Sequence, residues 1–197
     1  MKTFAVLIFD GFADWEPAFA LTGLRRWGKR EIITVGYDEH TVKSMGGLRV
    51  QPDLLLRNLS ADDTELLILP GGDQWLESYP AVEVDEVITT FEACGTPIAG
   101  ICAATTAMAR TGLFRARRHT SNGKAFLLKH APGYESADLY VDTLAIRERG
   151  VISANGLGAI EFAREIFSEL NLFTEEDLKL YEEMYRHGRN KSAEKAQ

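Results

Sequence analysis

Three short apolar runs decide what this 197-residue chain can fold into. Phe4 to Phe9, Leu66 to Leu69 and Pro97 to Ile101 are continuous rather than alternating, the pattern of strands covered on both faces. Each stops abruptly, at Asp10-Gly11, at Pro70-Gly71-Gly72 and at Cys102. Between and behind them lie segments of helical periodicity. Asp14 is placed to cap a first helix, with Pro17 tolerated in its opening turn, Phe19, Leu21, Leu24 and Trp27 as its core face, and Gly28 to close it. Residues 31–36 read as a second strand, through Ile32, Ile33 and Val35. Residues 41–51, around Met45-Gly46-Gly47-Leu48, read as a small hairpin or excursion at a sheet edge. Val82 to Cys94 predicts a helix with Val84, Val87, Ile88 and Phe91 on one face and Gly95 behind it. Strands alternating with helices imply an α/β fold, a mainly parallel sheet with helices on both faces.

The second half continues with a short helix over Lys124 to His130 and strands over Leu144 to Arg147 and Val151 to Ser153. An amphipathic helix follows over Leu157 to Leu170, its face carried by Ile160, Ala163, Ile166, Phe167 and Leu170. Thr174-Glu175-Glu176-Asp177 opens a last helix as a capping box does, and the polar stretch 186–197 reads as a frayed tail. With no repeat and no linker, residues 1–197 read as one domain. A net charge of −7 argues against a nucleic-acid footprint, which needs a basic surface. No run approaches the roughly 20 apolar residues that span a bilayer, and the N-terminal run is too short for a signal peptide. Two cysteines, Cys94 and Cys102, make no disulfide scaffold. A cytoplasmic, reducing location is therefore expected, and no membrane partner. The four histidines lack metal-ligand spacing, and Gly71-Gly72 is not followed by the Lys-Ser/Thr of a phosphate loop, so neither metal nor cofactor is expected.

In a parallel sheet, sites form beyond the carboxyl ends of the strands. Three such ends carry unusual residues. Thr96-Pro97-Ile98-Ala99-Gly100-Ile101-Cys102-Ala103-Ala104-Thr105 runs a strand into a cysteine and straight into a small-residue helix. A thiol on that tight turn, at the positive end of a helix dipole, is inclined toward thiolate and is a candidate nucleophile. Glu16, in the first turn of its helix, is placed near the same rim; beside a thiolate it would stay protonated, donate to the sulfur and serve as acid or base. The amides of Gly72 and Ala103 are candidates for an oxyanion hole. Bland readings account for the same residues: a packing cysteine, a first-turn carboxylate that complements the dipole, a glycine pair needed only for a turn. Gly71, Asp14 and Trp75 are candidate pocket residues, and Trp15 could wall the pocket with Trp75. Asn155-Gly156-Leu157-Gly158 could add a polar group to the rim, though it reads first as turn and cap.

Taken in order, Glu16, Leu69-Pro70-Gly71-Gly72 and Ala99-Gly100-Ile101-Cys102-Ala103-Ala104-Thr105 resemble the DJ-1/ThiJ/PfpI superfamily. The resemblance covers about Phe4 to Leu170. Its start, with Arg118-His119-Thr120-Ser121-Asn122, is similar to the bacterial intracellular protease/amidase branch, which is class I glutamine amidotransferase-like. It implies a flavodoxin-like three-layer sandwich, a homodimer, and Cys102 on a strained nucleophile elbow paired with protonated Glu16. It also exposes a departure. Members often carry a third residue, a histidine, directly after the cysteine, where this chain has Ala103, or in the segment that here reads His119-Thr120-Ser121-Asn122. Alignment puts Asn122 at that place. In a strand, His119 and Asn122 point to opposite faces, so one of them reaches Cys102.

The function expected is that of a cysteine-dependent enzyme acting on a small electrophile, glyoxalase-like, hydratase-like or amidase-like. Cys102 would be its nucleophile and Glu16 its proton donor and acceptor. A site without histidine weakens the case for peptide hydrolysis, which needs a general base and an acid for the leaving group. The alternative is a non-enzymatic oxidative-stress sensor in which Cys102 is oxidised to sulfinate beside Glu16.

Overall fold

A computed structural model describes residues 2–188. Its centre is a seven-stranded sheet of order β5-β2-β1-β6-β7-β9-β8. The strands are β1 (Thr3–Leu7), β2 (Ile32–Gly36), β5 (Leu54–Leu55), β6 (Thr64–Leu69), β7 (Ile98–Ile101), β8 (Ala145–Glu148) and β9 (Val151–Ala154). Every pairing is parallel except that of β8 with β9. The chain builds outward from β1 to β2 and β5, then returns to β6 on the other side of β1 and grows the opposite way. That reversal between β1 and β6 is a topological switch point, where the loops part and leave room for a ligand.

Alternation along the buried strands feeds two cores. Phe4, Val6, Leu66 and Ile68 face one layer, with α1 (Trp15–Gly23), α5 (Ala159–Glu169) and α6 (Glu175–His187). Ala5, Leu7, Leu67 and Leu69 face the other, with α2 (Ala81–Ala93), α3 (Thr105–Arg110) and α4 (Lys124–His130). The three-layer sandwich implied by the resemblance is the observed architecture, a mostly parallel sheet between two helical layers. Thr174 caps α6 through the expected reciprocal box with Asp177.

Several local expectations give way. The fully buried stripe of α1 is Glu16, Pro17, Ala20 and Gly23; Leu24 behind it is buried as expected, Phe19 and Leu21 pack half-buried against the same core, and Trp27 is exposed. Small residues win that face because α1 lies close against α5, and the larger side chains are displaced to its flanks. The helix runs on through a π turn, Leu24–Gly28, and ends at Lys29 in the left-handed region (φ 53°) rather than at Gly28. Asp14 makes no side-chain cap; its carboxylate instead accepts from the Ser44 hydroxyl at 2.5 Å. Ser44 belongs to the 41–51 excursion, which forms its own two-stranded sheet, β3 (Val42–Lys43) with β4 (Arg49–Val50). Main-chain bonds from Gly11 to Lys43 and from Met45 to Phe12 hold that hairpin over the loop after β1. The edge strand β5 is too short to leave a pattern in the sequence. Leu157 is 87% exposed in the turn before α5 instead of opening the helix. The fraying expected from residue 186 meets helix as far as His187, and the rest of that stretch, 189–197, lies outside the described residues.

Ile68 is fully buried between the central strands and the α1/α5 layer. Ile68→Asp would place an unpaired charge there, at a cost of about 4 kcal/mol. Loss of the cooperative thermal transition, followed by circular dichroism, is the expected outcome.

Candidate functional site

Four strand ends meet at the switch point. Leading out of β1, β6, β7 and β9, they bring Glu16, Gly71, Cys102 and Gly156 together at the carboxyl rim. The order β1-β6-β7 makes the first three strands neighbours, which explains the convergence.

Cys102 is the corner of the site. Its φ is 58°, in the left-handed region that a residue with a Cβ enters at a cost of roughly 1–3 kcal/mol. The turn is held from behind: the Thr105 hydroxyl donates to the Cys102 carbonyl at 2.5 Å and shares a hydrogen bond with Ser121 Oγ at 2.7 Å. The side chain is partly exposed, packs at the junction of the two cores, and is a free thiol. The Ala103 N–H is directed at its sulfur.

Glu16 is 1% exposed, although it is a carboxylic acid in the first turn of a helix. Its Oε2 accepts the Gly71 N–H at 2.6 Å, and its carboxyl is hydrogen-bonded to the Cys102 thiol. Two glycines permit this closeness. A Cβ on Gly71 would stand 2.5 Å from Glu16 Oε2 and 2.7 Å from Cys102 Cβ. One on Gly156 would stand 2.9 Å from Cys102 Sγ and 3.2 Å from Glu16 Oε1. No side chain fits at either position, so main chain walls the pair.

Asn122 supplies the remaining contact. Its Nδ2 donates to Cys102 Sγ at 3.1 Å, and its Oδ1 accepts the Gly156 N–H at 2.9 Å. His119, the other candidate in that segment, is fully buried away from the sulfur. Its ring stacks on Phe114 at 4.2 Å; Nδ1 lies 2.8 Å from the Arg117 carbonyl and Nε2 2.5 Å from the Tyr134 hydroxyl. The segment is not a strand. A single bridge, from His119 to Tyr140, fixes it, together with side-chain bonds from Tyr140 and Asn155 to the Ser121 carbonyl.

Other candidates fall elsewhere. Trp75 is 4% exposed, donates to the Pro70 carbonyl at 2.8 Å and stacks edge-on against Phe9 and Tyr79, so it is core and not pocket wall. Trp15 is half exposed beside Glu16. Asp14 is turned toward Ser44 and the hairpin. Gly72 is buried opposite Phe12, and the amide that grips Glu16 is that of Gly71. Gly156, weighed mainly as turn and cap, is a wall of the site; its signal was the fourth strand end, β9, adjacent to the strand that carries Cys102.

The electrostatics reverse one expectation. Burial pushes Glu16 up to about 7, opposed by its bonds to Gly71 and Cys102. Burial, then the charge of Glu16, pushes the Cys102 thiol up to about 11, against the pull of Asn122 and Ala103. The Cys102 turn leads through a 3-10 turn, Cys102–Ala104, into α3. Between these values the pair carries one negative charge and one proton. Glu16 is therefore placed to exchange a proton with the thiol near neutrality.

No group of three or more His, Cys, Asp or Glu among the described residues is placed to hold a metal ion. No helix among them is long and apolar enough to cross a membrane.

A carboxyl whose folded value lies above its unfolded one binds more protons when folded, so stability falls as pH rises. For Glu16 the window runs from about 4.5 to about 7. The shift corresponds to roughly 3 kcal/mol. In Glu16→Gln that dependence should vanish: its thermal midpoint, relative to wild type, is expected to rise steadily from pH 5 to pH 8. A constant difference between the two would contradict the assignment.

The profile of the DJ-1/PfpI family matches residues 2–169. A protein of Bacillus subtilis named as the uncharacterised protease YoaZ is 30% identical over 179 residues, 87% of this chain and 85% of its own. A glutathione-independent glyoxalase of Caenorhabditis elegans is 28% identical over 144 residues, 73% of this chain and 75% of its own. Among solved structures, a DJ-1 superfamily protein of Agrobacterium tumefaciens superposes with a TM-score of 0.85 at 33% identity, covering 94% of this chain and 100% of its own.

Proposed function

This chain belongs to the DJ-1/PfpI family, and on that premise we propose that it is a cysteine-dependent enzyme that adds its thiol to a small, neutral carbonyl compound. The observation that carries the reading is the contact of Cys102 with a buried carboxyl held near neutrality. In the proposed step Glu16 takes the S–H proton as the sulfur attacks. The S–C bond forms, the carbonyl electron pair moves to oxygen, and Glu16 returns the proton to that oxygen, leaving a hemithioacetal. With an α-oxoaldehyde, Glu16 then moves the carbinol C–H proton to the adjacent carbonyl carbon through an enediol, giving a thioester. Hydrolysis of that thioester by water breaks the S–C bond, restores the thiol and releases a 2-hydroxy acid. The amide of Ala103, already directed at the sulfur, is the proposed donor to the developing oxyanion.

One proton carrier suffices for this addition. Amide hydrolysis asks for more: an acid for the departing amine, where a thioester expels a thiolate. His119, the nearest histidine in sequence to the site's own segment, spends both ring nitrogens on Arg117 and Tyr134. That favours the glyoxalase-like activity named for the Caenorhabditis elegans relative over the protease label of the Bacillus subtilis one. The substrate is small because main chain at Gly71 and Gly156 closes the space around the sulfur. A homodimer in the cytoplasm, with no cofactor, completes the reading.

Turnover of an α-oxoaldehyde, followed by loss of its dicarbonyl absorbance, tests the proposal. Cys102→Ser and Glu16→Gln should each lower kcat/KM by about 100-fold or more. Full activity in both variants would refute it.

A further inference from the structure

We infer that Asn122 is a catalytic residue of this site: its amide, locked by the Gly156 N–H, is the neutral donor that holds the negative charge on Cys102 sulfur while the proton is on Glu16. The inference rests on the reading of Cys102 as nucleophile and adds to it the group that replaces histidine.

The lock fixes the direction of the amide. Oδ1 accepts from a main-chain N–H at 2.9 Å, and only an oxygen can do so. The nitrogen must then be the atom 3.1 Å from Sγ, so the sulfur faces a donor. The segment that carries Asn122 is itself held on both sides: Thr120 N–H donates to Ser153 Oγ at 2.9 Å, Thr120 Oγ1 to the Thr143 carbonyl at 2.8 Å, and Asn155 Nδ2 to the Ser121 carbonyl at 3.2 Å. The amide is thus aimed before any substrate arrives, which is the condition for electrostatic stabilisation without reorganisation.

An amide differs from an imidazole in one decisive respect. It donates a hydrogen bond but neither takes nor gives a proton near neutral pH. Glu16, on α1, is the titratable side chain in contact with the sulfur; Ala103 and Asn122 meet it with N–H groups only. When the S–H proton passes to Glu16, the charge left on sulfur is met by the Asn122 and Ala103 donors. Once the S–C bond forms, that charge is on the substrate oxygen.

The test is the pH dependence of Cys102 alkylation by iodoacetamide, read by peptide mapping, in wild type, Asn122→Ala and Asn122→Asp. Thermal unfolding at one pH checks that each variant is folded. Ala removes the donor; Asp, nearly isosteric, replaces it with an acceptor and a negative charge. The expected order of alkylation midpoints is wild type lowest, Ala higher, Asp highest, with Asp at least tenfold slower than wild type at pH 8. Equal midpoints in all three, or Asp at or below Ala, would overturn the inference. The outcome is independent of turnover. If Cys102→Ser kept full activity, the nucleophile reading would fall while the midpoints still reported on the Asn122 contact.

Discussion

A carboxyl and a thiol share one nearly dry corner at the rim of the sheet, and they cannot both carry charge. Glu16 is almost wholly enclosed and bonded to the Gly71 N–H, so its ionisation is postponed toward neutrality. Once ionised, it postpones that of Cys102 in turn. The site is therefore one proton with two possible owners. Much of the surrounding structure serves to keep that pair close: the left-handed turn at Cys102, the threonine and serine behind it, and two stretches of bare backbone at Gly71 and Gly156.

Both members of the pair oppose stability. A non-glycine residue at positive φ and an acid buried near its neutral form each cost free energy that only the rest of the fold can offset. The central strands provide it. β1, β6 and β7 are covered on both faces, and the site begins where their ladder stops. A rigid, apolar support under a strained, polar rim is the usual division of labour in open parallel sheets. The hairpin β3–β4 is bonded to the loop after β1, the loop that leads to Glu16.

The layers and the order of elements were legible because continuous apolar runs and helical periodicity are properties of long, well-buried segments. Cys102, Glu16 and the Gly71 turn could be found because strand ends in such a sheet are where chemistry gathers. What could not be read was anything decided by packing between elements. The face of α1 was read only in part, because closeness to α5 favours small residues over large ones at its centre. Trp75 looked like a pocket wall, yet its indole finds a carbonyl partner within the core. The upward push on the Cys102 thiol could not be read because it comes first from desolvation, which is invisible in sequence. Asn122 and His119 could not be separated by strand alternation, since their segment is irregular backbone fixed by side-chain bonds.

The bare-backbone walls carry an evolutionary consequence. Side chains are the usual means by which a binding site drifts toward new substrates, but at positions 71 and 156 there is none to change and no room to add one. Variation that preserves the thiol–carboxyl pair falls instead on exposed side chains next to it in sequence, Trp15 beside Glu16 and Leu157 beside Gly156. Descendants of such a chain can alter what reaches the sulfur far more readily than what the sulfur does.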